Sequence, residues 1–400
     1  MTTSRFHTPF AAGAVALLCA ACSLSVTNPG PLQDSQLDTP SAIPALVNGM
    51  SGDLSFALGN YIDRGALASG ELTEAGNFAA EQQFYNGIIR PEDVNPDWAN
   101  MQTARWTAES GLRRMQEVLG AGFETNTNTP RAYLYGGFAN RLLGENACTG
   151  IIDGGAPQSD SVYFQRAESL FTRANSIASA LNNTKVAVAA LAGRASVRAW
   201  LGNWAGAVSD ASVVPASFRF DAIFSTNTSR ENNDLAVQTI SRRETSVYGT
   251  VYAHVFHDPR TPWDTVKTSG NKVQTGQDGR TPFFRQTKYT TLGSPVALAK
   301  GTEMLLLRAE AALRNSDIAG MTTLINQERA QYSLTPVATP ANENDAWTLL
   351  MAERGSVTWL EGRRLWDLRR WLVAGKNTFL QDRSKCIPPS ANEVASNPNL

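Results

Sequence analysis

Residues 303–313 read EMLLLRAEAAL, 325–330 read INQERA, and 346–371 read AWTLLMAERGSVTWLEGRRLWDLRRW. Apolar side chains recur here at helical spacing. Met304, Leu305, Leu307, Ala309, Ala312 and Leu313 form one set; Ile318, Met321, Leu324 and Ile325 form the next. Trp347, Leu350, Met351, Val357 and Leu360 carry the pattern on, and Leu365, Leu368 and Leu372 extend it. Charge is dense over that seam: Glu353, Arg354, Glu361, Arg363, Arg364, Asp367, Arg369 and Arg370. A nucleic-acid patch needs basic residues without matching acids. The interleaving of acids with arginines here points instead to ion pairs that clamp helices together.

Composition sets the outer bounds. The 400 residues are 42% hydrophobic with a formal charge of −1, enough for a large core and no electrostatic pointer to nucleic acid. No apolar run approaches the roughly 20 residues of a membrane span. Arg5, the short apolar run 10–18 and the small residues before Cys22 read as a secretory signal over 1–21. CAAC at 19–22 resembles a bacterial lipobox, which would put the lipid on Cys22. A proline-bearing tether then covers 22–40. Ser23 follows that cysteine in place of the aspartate that retains lipoproteins at the inner membrane, so an outer-membrane location is expected.

Residues 41–212 read as an N-terminal helical part. A first helix is expected over 41–57, with Ser41 as its N-cap. Residues 61–96 are polar, glycine-punctuated and aperiodic, and read as surface loops. Helices follow over 97–119 and 131–143. A hairpin built on Tyr163–Leu181 and Val186–Leu201 positions then leads, through Asn203 and Trp204, into a third helix. Small residues such as Ala167, Ala174, Gly193 and Ala207 suit the close antiparallel packing of tetratricopeptide hairpins. Residues 213–301 lose the helical period and read as an irregular, loop-rich region, with 251–256 as a strand. Residues 302–400 return to helices and a tail.

The motifs together resemble a known family. RAEAAL, IN-x-x-R, then ER and EG-x-R-x-x-DLRRW closely resemble the C-terminal signature of the SusD/RagB family. Asp258-Pro259-Arg260 and the later Lys288-Tyr289 extend the likeness upstream. The resemblance implies a mainly α fold, with tetratricopeptide-like hairpin repeats and a loop-rich ligand region. It implies an outer-membrane lipoprotein that binds a nutrient, often a glycan, and delivers it to a SusC-like TonB-dependent transporter. No catalysis, cofactor or metal is expected of it. The repeats would face the transporter and the loops would hold ligand. A sugar offers an apolar C–H face to an aromatic ring, and its hydroxyls need polar partners. The loop candidates are Tyr61, Phe78, Tyr85, Trp98, Trp263 and Phe283, with Asn77, Asn95, Asp97 and Arg285 as polar neighbours.

Other chemistry is thinly supported. The chain has no G-x-x-x-x-G-K-[ST], G-x-G-x-x-G or G-x-S-x-G. His254-x-x-His257 beside Asp258 would suit a metal only on a helix, which Pro259 disfavours. A paired-carboxylate glycosidase leaves no mark that spacing alone reveals. A repeat-type lipoprotein scaffold binding peptides or envelope-assembly proteins is the alternative function. Cys148 and Cys386 either pair, as an oxidising compartment permits, or are two buried thiols.

Overall fold

The computed structural model describes residues 34–254 and 258–400. The expected signal, the lipidation site Cys22 and His257 lie outside the described residues. The chain is mainly α-helical. α1 (Ile43–Ser69) is followed by the short α2 (Ala79–Tyr85), then α3 (Asn95–Leu119) and α4 (Thr129–Asn146). The hairpin helices are α5 (Ser161–Ala180), α6 (Thr184–Trp200) and α7 (Trp204–Ser212). After the irregular segment, with a single turn α8 (Asp234–Ala236), come α9 (Gly301–Arg314), α10 (Ile318–Ala330), α11 (Glu343–Val357), α12 (Arg364–Val373) and α13 (Ala391–Ser396).

Local chemistry sets many of these boundaries. Asn183, Asn203, Asp317 and Asn342 each accept a hydrogen bond from a backbone N–H of the helix they precede, the usual N-cap role. α4 packs on α5, α5 on α6 and α6 on α7; α7 then passes the stack to α9, which holds α10 and α11. Close approach needs the glycines. A Cβ on Gly137 or Gly193 would lie 2.6 or 2.5 Å from the ring of Phe171, which is wedged between α4 and α6. One apolar core runs from Ile43 to Ile387.

Two expectations are corrected. α1 does not stop near residue 57 but runs on to Ser69, so Tyr61 sits on a helix. Leu58, Tyr61, Ile62, Ala66 and Leu67 are all buried. A helix buried around most of its circumference shows no polar face, so its period was hidden. Residues 251–254 form a 3-10 turn rather than a strand. Among the described residues the strands are short antiparallel pairs, the longest being Val296–Lys300 against Arg219–Ala222.

The charged seam is a buried lattice. Arg354, 1% exposed, binds Asp367 (2.7 Å) and Glu303 (3.4 Å). Arg363 binds Glu303 (3.0 Å) and Glu145 of α4 (2.8 Å). Arg370 joins Asp367 to Glu310. The upstream motifs plug into the same lattice. Arg260 pairs with its own Asp258, with Glu328 of α10 and with Glu353 of α11. Lys288 donates to Trp359 O (2.6 Å) and to Glu361, which Lys300 also binds. Leu360 and Gly362, both at positive φ, turn the chain on either side of that glutamate. Cys148 and Cys386 form a disulfide with Cα atoms 5.1 Å apart, and Cys148 N donates to Ile387 O alongside it. The tail is thereby tied to the end of α4.

Candidate functional site

The irregular segments interlock by backbone pairing. Thr73–Glu74 pairs with Thr245–Ser246, and Trp263–Thr265 with Phe284–Gln286. Ala75 N donates to Glu244 O, and Asp278 N donates to Ala75 O. The Ser246 hydroxyl joins two stretches of chain: it donates to Pro282 O (2.7 Å) and accepts from Phe284 N (2.9 Å) and Tyr248 N (3.1 Å). A rigid loop scaffold results.

On it sits a cluster of rings. Trp263 stacks on Phe284 with centroids 4.8 Å apart and planes within 7°. Tyr248 meets Phe284 edge-on at 5.2 Å. Tyr248 is 43% exposed, and Trp263 and Phe284 are half-buried. The Trp263 indole N–H donates to Tyr252 O (3.1 Å), which fixes the ring plane. On the opposite face of the hairpin, Arg285 grips Asp264 with two bonds of 2.9 and 2.6 Å, leaving both partly open to solvent. Such a set offers ring faces for apolar contact and fixed donors and acceptors for hydroxyls.

The sequence-chosen residues divide. Trp263 and Arg285 share this hairpin. Asn77 and Phe78 lie on the adjoining segment: Asn77 donates to Gln277 O, and Phe78, 44% exposed, lies under the guanidinium of Arg242 at 4.9 Å. Phe283 is buried, because its side chain and that of Phe284 point to opposite faces of the strand. Tyr61 and Trp98 are buried on helices; the Trp98 indole donates to Glu393. These three rings therefore cannot present a face to ligand. Tyr85 and Asn95 lie against the C-terminal tail, where Tyr85 O accepts from Arg383 and Asn95 Oδ1 from Asn392 N.

Asp97 belongs to a separate acidic cavity of about 210 Å3 around Arg64. Arg64 binds Asp97 (2.6 Å) and Glu81 (2.9 Å). Burial pushes Asp97 up to about 6 against the pull of Arg64. Burial and the neighbouring Asp234 push Asp63 up to about 7. Glu74 rises to about 8 by burial, helped by Asp63, Glu81 and Glu244. Among the described residues no group of three or more His, Cys, Asp or Glu is arranged to hold a metal ion. No helix among them is long and apolar enough to cross a membrane.

Tyr248 and Phe284 were missed by sequence reading. The available signal was the Phe283-Phe284 pair, in which a strand exposes one ring and buries the other, and Tyr248-Gly249, a ring next to a turn glycine at positive φ.

Residues 301–392 match the sequence profile of the SusD family. The fold is that of solved SusD superfamily proteins. One from Bacteroides thetaiotaomicron is 15% identical, with a TM-score of 0.69 over 91% of this chain and 98% of that one. A structure named a laminarin binding SusD-like protein is also 15% identical, at 0.69 over 90% of this chain and 100% of that one. A third, from Bacteroides vulgatus, is 13% identical at 0.64, over 90% and 97%. No curated protein matches the chain in sequence. The C-terminal region thus matches the SusD family in sequence, and the whole fold is that of solved SusD superfamily proteins.

Proposed function

We propose that this protein is a lipid-anchored, non-enzymatic glycan-capture protein of the outer membrane that hands its ligand to a SusC-like TonB-dependent transporter. The single observation that carries the binding role is the Trp263–Phe284–Tyr248 ring cluster on interlocked loops. Sugar C–H faces would lie on the exposed ring faces. That one structural relative is named for laminarin binding supports the ligand class. Lipidation at Cys22 would hold the protein in the same membrane as the barrel. Such co-anchoring raises effective concentration, so modest affinity suffices for transfer.

The test has two arms. Gentle detergent extraction and pull-down of the tagged, lipidated protein from its own outer membrane is expected to bring down a large TonB-dependent barrel. Recovery of periplasmic partners without a barrel would overturn the delivery role. A glycan array read beside a reducing-sugar assay is expected to give binding without release. Release of reducing sugar would replace capture with hydrolysis.

A further inference from the structure

Away from the ring cluster, a cavity of about 480 Å3 opens between the first half of α1, the start of α4 and the loop 223–231. That volume falls in the ~300–1,000 Å3 range of small-ligand cavities. Its α1 wall is built of small residues one helical turn apart. A Cβ added to Gly49 or Gly52 would meet nothing within 4 Å. Each glycine costs an exposed helix about 1 kcal/mol relative to alanine. No close packing explains either one; both leave room on the cavity side.

Ser55 continues that wall and supplies an independent sign of a ligand. It is 4% exposed, and its hydroxyl has no hydrogen-bond partner. Ser69, on the same helix, bonds back to Gly65 O at 2.7 Å, as helical serines commonly do. Ser55 does not, and a buried hydroxyl without a partner costs about 1–3 kcal/mol. The facing wall holds Arg131. Its guanidinium donates to Asn48, Asn128 and Tyr135 at 3.2–3.4 Å and has no carboxylate in ion-pair range among the described residues. Two acids complete the lining, Asp53 on α1 and Glu231 on the loop. Asp53 is held by Arg230 at 2.7 Å; Glu231 accepts from hydroxyls, including Thr228 at 3.2 Å, which hold it below the usual carboxylate range.

We propose that this cavity is a second ligand site, which takes one neutral, hydroxyl-rich unit such as the end of a saccharide chain. Two arginines and two carboxylates cancel, so the site favours no net charge on its ligand. Both donors and acceptors line it, as vicinal hydroxyls require. Stacking is closed off: Arg230 covers the Phe56 ring at 4.4 Å and Arg131 the Tyr135 ring at 5.8 Å. Recognition here is by hydrogen bonds to a compact unit, where the loop cluster offers ring faces. The choice of saccharide as ligand rests on the glycan-capture reading above; the existence of the site does not.

The experiment is an NMR titration of the full mature chain with a panel of neutral mono- and disaccharides, uronic acids and amino sugars at millimolar concentration. The amides of Gly49 and Gly52 report the cavity, and that of Tyr248 reports the loop cluster. At least one neutral sugar is expected to shift Gly49 and Gly52 saturably. Gly52→Leu fills the open space, so it should abolish those shifts while leaving the Tyr248 response unchanged and Tm no lower. Arg131→Ala should weaken the same response about tenfold. Shifts at Tyr248 with none at Gly49 or Gly52 would overturn the cavity proposal and leave glycan capture standing. Cavity shifts with none at Tyr248 would overturn the loop cluster as the capture surface and leave the cavity standing. No shift at either overturns both, and a response of the cavity to charged sugars alone overturns the neutral ligand class.

Discussion

The C-terminal helices and the region around Arg64, where α1, α3 and the loops meet, both bury carboxylates, yet they treat them differently. In the helices each acid meets a guanidinium or ammonium. Arg363 and Arg354 overcome the burial of Glu303 and hold it down at about 2, and Glu310 and Glu361 are lowered by Arg370, Lys288 and Lys300. Around Arg64 the acids outnumber the single arginine, and burial chiefly lifts Asp63 and Asp97 to about 7 and 6 and nearby Glu74 to about 8. Glu328 is the exception within the helices. It shares Arg260 with Asp258 and Glu353, and burial with that like charge lifts it to about 7. The family signature thus marks a stability device, and the proposed capture surface lies where no signature falls.

The sharpest way to break this contrast is to unpair the lattice. Glu361→Ala leaves Lys288 and Lys300 buried without their shared carboxylate, and removal of one partner from a buried pair costs about 3–5 kcal/mol. Urea unfolding should show that loss, while glycan affinity of the folded fraction stays within twofold. If affinity falls with stability, the two regions are not separable. Reduction of Cys148–Cys386 should come next. It opens a loop of 238 residues, and loss of a native disulfide costs about 2–5 kcal/mol. A denaturation midpoint that reductant does not move would show that the tail is held by its backbone bonds alone.

The pH response sharpens the comparison in solution. Glu303 is depressed on folding, so its stabilisation is complete above the unfolded value of about 4.3 and is lost as pH falls toward 2. Glu74 is raised on folding. The unfolded chain loses that proton near pH 4.3 while the folded chain keeps it to about pH 8, so stability falls as pH rises across that window. Glu74→Gln should therefore be more stable than the parent at pH 8, by about 1 kcal/mol after solvent screening, and little changed at pH 4. Equal effects at both pH values would show that the carboxyl is ionised throughout.

How far each region was legible follows from the same physics. Helical spacing and acid–base interleaving over 303–371 are local patterns, and they pointed correctly to clamped helices. The N-terminal half of α1 was legible and its second half was not, because burial on most sides erased the polar face at Tyr61 and Ile62. The ring cluster was only half legible. Trp263 and Arg285 stand out by type and by the turn residues around them. Phe284 differs from the buried Phe283 only by strand parity, and a three-residue strand is too short to announce its register. The cavity beside α1 left one trace, the Gly49 and Gly52 pair inside a helix. What gives those glycines meaning, Arg131 and Glu231, comes from 79 or more residues away in the chain.

The smallest expected effect is the one that tests the loops as a capture surface. Tyr248 packs edge-on against Phe284 and is 43% exposed, so Tyr248→Ala removes little from the core. Loss of one aromatic pair costs about 0.5–1.5 kcal/mol, and a shift in unfolding free energy of that size is expected. A ring that carries ligand costs about 1.4 kcal/mol or more of binding when truncated, tenfold in Kd. Tyr248→Phe keeps the ring and drops the hydroxyl, and should retain affinity if contact is through the face. Calorimetry with the glycan that the array selects separates the cases. Tenfold weakening in the alanine variant with rescue by phenylalanine would assign the ring. Weakening in both would assign the hydroxyl instead, and no change in either would move ligand to the Trp263–Phe284 faces alone, where Phe284→Ala is then the variant that must fail.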